Sequence, residues 1–234
     1  MSNQSFSWNP ELTAHFNGAP ELALLDLDGT LINSIPDLTI ATDNMLAKLG
    51  LPLAGTEKVS HWVGNGIDKL VRRALANGVE EQALALSNAD VSAARVHFDA
   101  AYLDALTSAT GAYPGVEEWL NTVTIPKVLI TNKARVFTEP IIESLGWNKH
   151  FVQIICGDDL ADKKPSPLPL LHACKTQGIA PERAFMVGDS RNDIQAARAA
   201  GMACVAVSYG YNHGEDIRLA GADWLVDNLL ELLA

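Results

Sequence analysis

Leu22-Ala-Leu-Leu-Asp26-Leu-Asp28-Gly29-Thr30 is the stretch on which the fold turns. Four apolar residues run without polar alternation into an acidic one, as in a short strand buried on both faces. Runs of the same kind recur at Lys127-Val-Leu-Ile-Thr131, Phe151-Val-Gln-Ile-Ile-Cys156, Ala184-Phe-Met-Val-Gly188 and Ala203-Cys-Val-Ala-Val207. Helix-like segments at 138–145, 166–177 and 191–200 separate them, stopped by Gly146, Gly178 and Gly201. This alternation predicts an α/β fold: a doubly wound, Rossmann-like parallel sheet with helices on both faces.

Residues 33–110 have another character. Ser34 as N-cap, Pro36 in the first turn and Asp37 completing a capping box predict a helix with Ile35, Leu38, Ala41, Met45 and Leu49 on one face, ending at Gly50. Ile67, Leu70, Val71, Ala74 and Leu75 predict a second helix, and residues 80–106 one long helix or two. No strand signal interrupts them. So long a helical stretch after a first strand exceeds an ordinary loop. It predicts a small helical cap, 33–110, inserted into an α/β core made of 21–32 and 111–234, with the active cleft between them. Residues 1–20 read as a frayed or loosely docked arm without a functional role.

Composition narrows the partners. Acidic residues number 28 against 17 basic, a formal charge of −11, and no basic run appears. Nucleic-acid binding is therefore disfavoured, since it needs a patch that displaces phosphate counterions. A small anionic substrate stays open, because a local site with a bound cation can oppose the net charge. Lys69, Arg72 and Arg73 read as solvated surface charges, with a contact from one of them to a substrate carboxylate as the alternative. Cys156, Cys174 and Cys204 are too few and too scattered for a disulfide framework or a zinc site, and read as buried free thiols. No signal-peptide pattern opens the chain and no stretch approaches the ~20 apolar residues of a membrane helix. A cytoplasmic protein with no membrane partner is expected.

In an open parallel sheet, ligands bind outside the carboxyl ends of the strands. Those ends deliver Asp26 and Asp28; Thr131, Asn132 and Lys133; Asp158, Asp159 and Lys164; and Asp189, Ser190 and Asp193. So many carboxylates on one rim would repel one another and resist ionising. A hard divalent cation neutralises them, and carboxylates leaving room for water and phosphate suit Mg²⁺. Two aspartates at i and i+2 suit phosphoryl transfer: one attacks phosphorus, the other protonates the leaving alkoxide and later deprotonates water. They reach one reacting group only where the strand ends and bends, which Gly29 permits.

Asp26-Leu-Asp-Gly-Thr-Leu31, Thr131-Asn-Lys133, Lys164-Pro-Ser-Pro167 and Gly188-Asp-Ser-Arg-Asn-Asp193, in this order, resemble the four signatures of the haloacid-dehalogenase superfamily of phosphatases. The resemblance runs from about Leu22 to the C-terminus and includes the helical cap. It implies Asp26 as nucleophile and magnesium ligand, and Asp28 as acid/base with its backbone carbonyl facing the metal. It implies Thr131, Asn132 and Lys164 as phosphate-binding, Asp189 as a magnesium ligand, and Asp193 behind it or touching Lys164. Ser190-x-x-Asp193 is also a capping box, and Asp158 and Asp159 divide between the site and helix capping. Val63-Gly-Asn-Gly66, Tyr113-Pro-Gly-Val116, Gly157-Asp-Asp159 and Tyr209-Gly-Tyr-Asn212 are similar, more narrowly, to the bacterial phosphoglycolate phosphatases. That likeness implies 2-phosphoglycolate as substrate; a monomer or weak homodimer is expected, with no residue pattern behind it. Two departures stand out: Leu25 where phenylalanine is common, and Asn33 where the hinge often has aspartate. Rival readings are another sugar-phosphate phosphatase, a phosphomutase, and a non-catalytic binding module.

Overall fold

A computed structural model describes residues 6–64 and 66–234. In chain order it contains α1 (Pro10–His15), β1 (Leu22–Leu25), β2 (Ile32–Asn33), α2 (Ile35–Lys48), α3 (Gly55–Trp62), α4 (Ile67–Leu75), α5 (Glu80–Ala85), α6 (Asn88–Ala105), β3 (Gly111–Ala112), α7 (Val116–Thr122), β4 (Lys127–Ile130), α8 (Arg135–Ser144), β5 (Gln153–Ile155), α9 (Leu168–Gln177), β6 (Ala184–Gly188), α10 (Arg191–Ala199), β7 (Ala203–Val207) and β8 (Trp224–Val226). Six strands form one parallel sheet in the order β5-β4-β1-β6-β7-β8. β1 lies between β4 and β6, with Leu25 beside both Leu129 and Val187. The winding reverses there, so the crevice opens at the carboxyl end of β1.

The lack of alternation in β1 has a direct cause. All four of its residues are fully buried, and they serve two cores. Ala23 and Leu25 pack with Phe185, Val187 and Val205 under α7 and α8; Leu22 and Leu24 pack with Met186, Cys204 and Ala206 under α9 and α10. With an apolar layer on each face, both sets of alternating side chains must be apolar. β8 escaped the sequence reading because it is a three-residue edge strand with a partly exposed face.

The N-terminal segment departs from expectation. Trp8, Leu12 and Phe16 are buried in the first core, with Trp8 edge-on to Phe185 at 5.7 Å between ring centroids. Asn9 caps α1 by accepting the Glu11 N–H at 2.9 Å, and Trp8 bridges to Leu233. Within residues 6–20 this is a docked element rather than a frayed arm. Its three apolar anchors come from a β-bridge residue, a six-residue helix and the residue that ends it, an element too short to show a periodic pattern.

Helices α2–α6 pack on a third core of their own, containing Leu38, Met45, Leu70, Phe98 and Tyr102. Residues 80–106 form two helices, and α3 was not foreseen. The chain enters through β2 and leaves through β3, paired antiparallel with Ile32 beside Ala112. α8 contributes Phe137 to the helical core, 5.0 Å from the Tyr102 ring centroid. The capping box expected at α2 does not form. Ser34 makes no cap hydrogen bond, and its hydroxyl donates instead to Asp28. Asp37 accepts the N–H groups of Ala109 and Thr110 at 2.9 and 3.1 Å, tying the entry of the helical region to its exit. Both residues found better partners outside their own turn, Ser34 six positions back and Asp37 more than seventy positions on.

Candidate active site

β1 stops at Leu25 because the chain turns back on itself. The N–H groups of Leu31 and Ile32 both donate to Leu27 O, and Gly29 N–H donates to Ile32 O. Asp26 still borrows the sheet, its N–H donating to Val187 O at 3.0 Å. Leu27 is buried in the core, so Asp26 and Asp28 both face the crevice. They enter different surroundings.

Asp26 joins an acidic cluster. One carboxylate oxygen each from Asp26, Asp189 and Asp193 lie within 4.8 Å of one another, all three residues buried. Lys164, 3% exposed, donates to Asp26 Oδ1 and to Ile130 O at 2.7 Å each, and its ammonium is paired with Asp193 Oδ1 at 2.7 Å. Burial opposes charging Lys164, yet Asp193 and Asp26 hold its affinity for the proton above that of an ordinary lysine. Burial pushes the Asp26 carboxyl up to about 7, with Lys164 opposing and Asp193 and Asp28 adding to the rise. Asp189 is raised well above the carboxylate range, first by burial and then by Asp26 and Asp193. Asp193 does two jobs: Oδ2 accepts the Ser190 N–H at 3.1 Å and its hydroxyl at 2.7 Å, while Oδ1 faces Lys164.

The cluster fits a divalent cation. Of the three buried carboxylates, Asp26 and Asp193 share one ammonium, and among the described residues no ion pair reaches Asp189. All donors are hard oxygens, the set that favours Mg²⁺ over softer metals. Glycines enclose Asp189. A Cβ on Gly210 would lie 2.1 Å from Asp189 Cβ, and one on Gly29, where φ is +87°, would lie 2.2 Å from Asp189 Oδ2. The Tyr211 N–H donates to the same Oδ2 at 2.7 Å.

Asp28 sits apart from that cluster. Both of its oxygens accept from Lys133 Nζ at 2.8 Å, and Oδ1 accepts the Ser34 hydroxyl at 2.5 Å. Thr131 Oγ1 accepts the Lys133 N–H at 3.1 Å, and Asn132 Nδ2 donates to Lys164 O at 2.9 Å. Thr131 and Asn132 line the same cavity as Asp26, Asp28, Lys164 and Asp189. Its volume is about 60 Å³; a water occupies roughly 10–15 Å³ of such space, so only a handful of small groups fit. Its roof is apolar, formed by Leu38, Val63, Ile67 and Leu70.

Other residues settle away from the cleft. Asp158 accepts the Arg135 N–H at the start of α8, and Asp159 pairs with the Arg135 guanidinium. Arg72 donates to Leu86 O, and Arg73 to Trp62 O, so both brace the helical region rather than stand free in solvent. Lys133, Ser34, Gly210 and Tyr211 are the site neighbours that sequence reasoning left without a role. Lys133 stood in plain view beside Asn132; its partner Asp28 is 105 positions away.

Known proteins resemble this chain in sequence and fold. Residues 23–207 match the model of the haloacid dehalogenase-like hydrolases. A phosphoglycolate phosphatase of Nitrosococcus oceani is 46% identical over 217 residues, covering 91% of this chain and 95% of its own. Phosphoglycolate phosphatase 1 of Pseudomonas aeruginosa is 46% identical, covering 92% and 79%. The crystal structure of a predicted phosphoglycolate phosphatase from Haemophilus somnus superposes with a TM-score of 0.83 at 34% identity, covering 89% and 94%. With its acidic cluster and buried lysine at the carboxyl end of β1, the chain belongs to the haloacid dehalogenase-like hydrolases, as a phosphoric monoester hydrolase.

Proposed function

We propose that this enzyme hydrolyses 2-phosphoglycolate to glycolate and phosphate, through a phosphoryl group carried on Asp26. One observation supports the mechanism above others: the Asp26 carboxylate is held by Lys164 inside the acidic cluster, while Asp28, two residues on, stands outside it beside Lys133. Nucleophile and proton donor thus occupy separate electrostatic environments within one cavity, the arrangement two-step transfer needs. Asp26 attacks phosphorus; the bond to the ester oxygen breaks, and that oxygen takes the Asp28 proton. Asp28 then removes a proton from water, which attacks phosphorus and frees Asp26 and phosphate. Thr131, Asn132 and Lys164 hold the phosphoryl oxygens, and Lys164 places Asp26 for attack.

Asp26, Asp189 and the Asp28 backbone carbonyl would hold Mg²⁺, with Asp193 steadying Lys164. The metal, when bound, offsets negative charge on the phosphoryl oxygens. Residues 33–110 act as a cap whose closure on the β2–β3 hinge keeps bulk water out during the first step. The substrate assignment is supported by the near full-length relatives named for phosphoglycolate and by the small cavity. The enzyme would act in the cytoplasm as a monomer or weak homodimer.

The test is phosphate release with Mg²⁺ from a panel of small phosphomonoesters, with Asp26→Asn and chelator-treated controls. Highest kcat/KM on 2-phosphoglycolate and two silent controls are expected. Another ester in the lead would overturn the substrate, and undiminished turnover by Asp26→Asn would overturn the mechanism.

A further inference from the structure

The cavity holds a second buried cation that the phosphoryl chemistry above does not use. Among the described lining residues the positive groups are Lys164 and Lys133. Lys164 is consumed by Asp26 and Asp193 at the phosphate end. Lys133, with its side chain 4% exposed, reaches the cavity on the Asp28 side, where the ester oxygen and leaving group must lie. An ammonium has three protons, and Asp28 takes two. The Tyr102 ring lies over the ammonium, 5.1 Å from nitrogen to centroid. Tyr102 is fully buried, and its hydroxyl has no hydrogen-bond partner of normal geometry. Tyr102 does not line the cavity and its hydroxyl lies toward the Lys133 ammonium, so it positions Lys133, whose ammonium is the group that faces the cavity.

We propose that Lys133, positioned by Tyr102, recognises a carboxylate on the leaving group, one carbon from the ester oxygen. The assignment deepens the proposed function and rests on it. An ester oxygen within hydrogen-bond reach of Asp28, about 2.6–3.2 Å, brings a substituent on the adjacent carbon to the neighbour of Asp28, which is Lys133. The roof residues Leu38, Val63, Ile67 and Leu70 offer that substituent no charge. Lys69 and Lys163 are exposed at the outer mouth. Charge selection for the leaving group therefore comes from the floor, from the lysine that also holds Asp28. A neutral leaving group would offer the buried Lys133 ammonium no counter-charge beyond Asp28, which is how a site rejects an analogue lacking a charged group.

The experiment compares 2-phosphoglycolate with 2-hydroxyethyl phosphate, equal in length but with a neutral terminus. Steady-state phosphate release is measured for wild type, Lys133→Met, Lys133→Gln and Tyr102→Phe, all with saturating Mg²⁺. Lys133→Met should lower kcat/KM for 2-phosphoglycolate about 100-fold more than for 2-hydroxyethyl phosphate, the excess appearing in KM; truncating one member of a buried charge pair costs this order. Tyr102→Phe, which removes one oxygen and keeps the packing, should lose about 5-fold on 2-phosphoglycolate alone. Lys133→Gln serves if Lys133→Met does not fold. Equal losses on both esters, confined to kcat, would reduce Lys133 to a positioning residue for Asp28 and overturn the proposal. A wild type that prefers the neutral ester removes the substrate reading and this inference together. A wild type that prefers 2-phosphoglycolate, with a ratio unmoved by any variant, removes this inference alone.

Discussion

The floor and the roof of the cleft are built on opposite principles. The floor, at the carboxyl ends of β1, β4 and β6, is a buried ionic lattice in which Asp26, Asp193 and Lys164 lock one another at 2.7 Å. Gly29 and Gly210 leave no space around Asp189. The roof is a set of aliphatic side chains on helices with their own core, and polar contacts among the described residues tie it to the floor. Asn192 Nδ2 donates to Gly64 O at 3.3 Å, and the Tyr211 hydroxyl donates to Asn33 Oδ1 at 3.0 Å and accepts the Ser34 N–H at 2.9 Å. The difference has a physical reason. Charges that stabilise a transition state must be fixed beforehand, whereas a wall that admits substrate and excludes water needs only shape and freedom to move.

The contrast breaks most visibly at Asp26. Asp26→Asn keeps the volume and removes the proposed nucleophile; turnover should fall at least about 10⁴-fold, with the thermal melt retained as evidence of folding. A variant still turning over at a tenth of wild type would mean the lattice is not the reacting centre.

Gly210→Ala asks how rigid the floor is. The added methyl must displace Asp189, and Mg²⁺ affinity should drop roughly 10- to 100-fold, the cost typical of disturbing the support of a metal ligand. Isothermal titration with Mg²⁺ and the Mg²⁺-induced rise in melting temperature both report it, since a ligand held at about 100 times its Kd stabilises by about 2.7 kcal/mol. Unchanged affinity would show that the floor yields.

Ile67→Ala addresses the roof. With only apolar surface lost, KM should rise about 10-fold and kcat stay within a factor of two. A larger fall in kcat than in kcat/KM would give the roof a part in the chemistry and erase the contrast. Leu12→Ala, far from the cleft, should leave KM unchanged while destabilising the fold by about 2–5 kcal/mol in urea. A neutral result there would mean that α1 does not contribute to the sheet core.

Legibility in the sequence followed the same division. The strands of the floor were readable because burial on both faces demands short unbroken apolar runs, and β6 and β7 agree residue for residue with Ala184–Gly188 and Ala203–Val207. α8 begins at Arg135, ahead of the expected start at 138, because its first N–H is capped by Asp158 from another loop. Ser34 and Asp37 misled for a related reason: their short-range pattern is that of a cap, but Asp28 and the 109–110 backbone compete for them and win.

The sequence by itself determined the five strands β1, β4, β5, β6 and β7, the helical insertion and the identity of the acidic residues at the strand ends, because those depend on local periodicity and on what terminates a buried run. Only the tertiary structure decided which carboxylate meets which ammonium. Asp26 and Asp28 are two positions apart, yet one is held by Lys164 and the other by Lys133. Lys133 and Lys164 come from different loops, after β4 and after β5, and their distances to the two aspartates exist only once β4 and β6 have closed around β1. Burial then makes each pairing worth far more than it would be in water, and that burial belongs to the assembled sheet rather than to any stretch of chain.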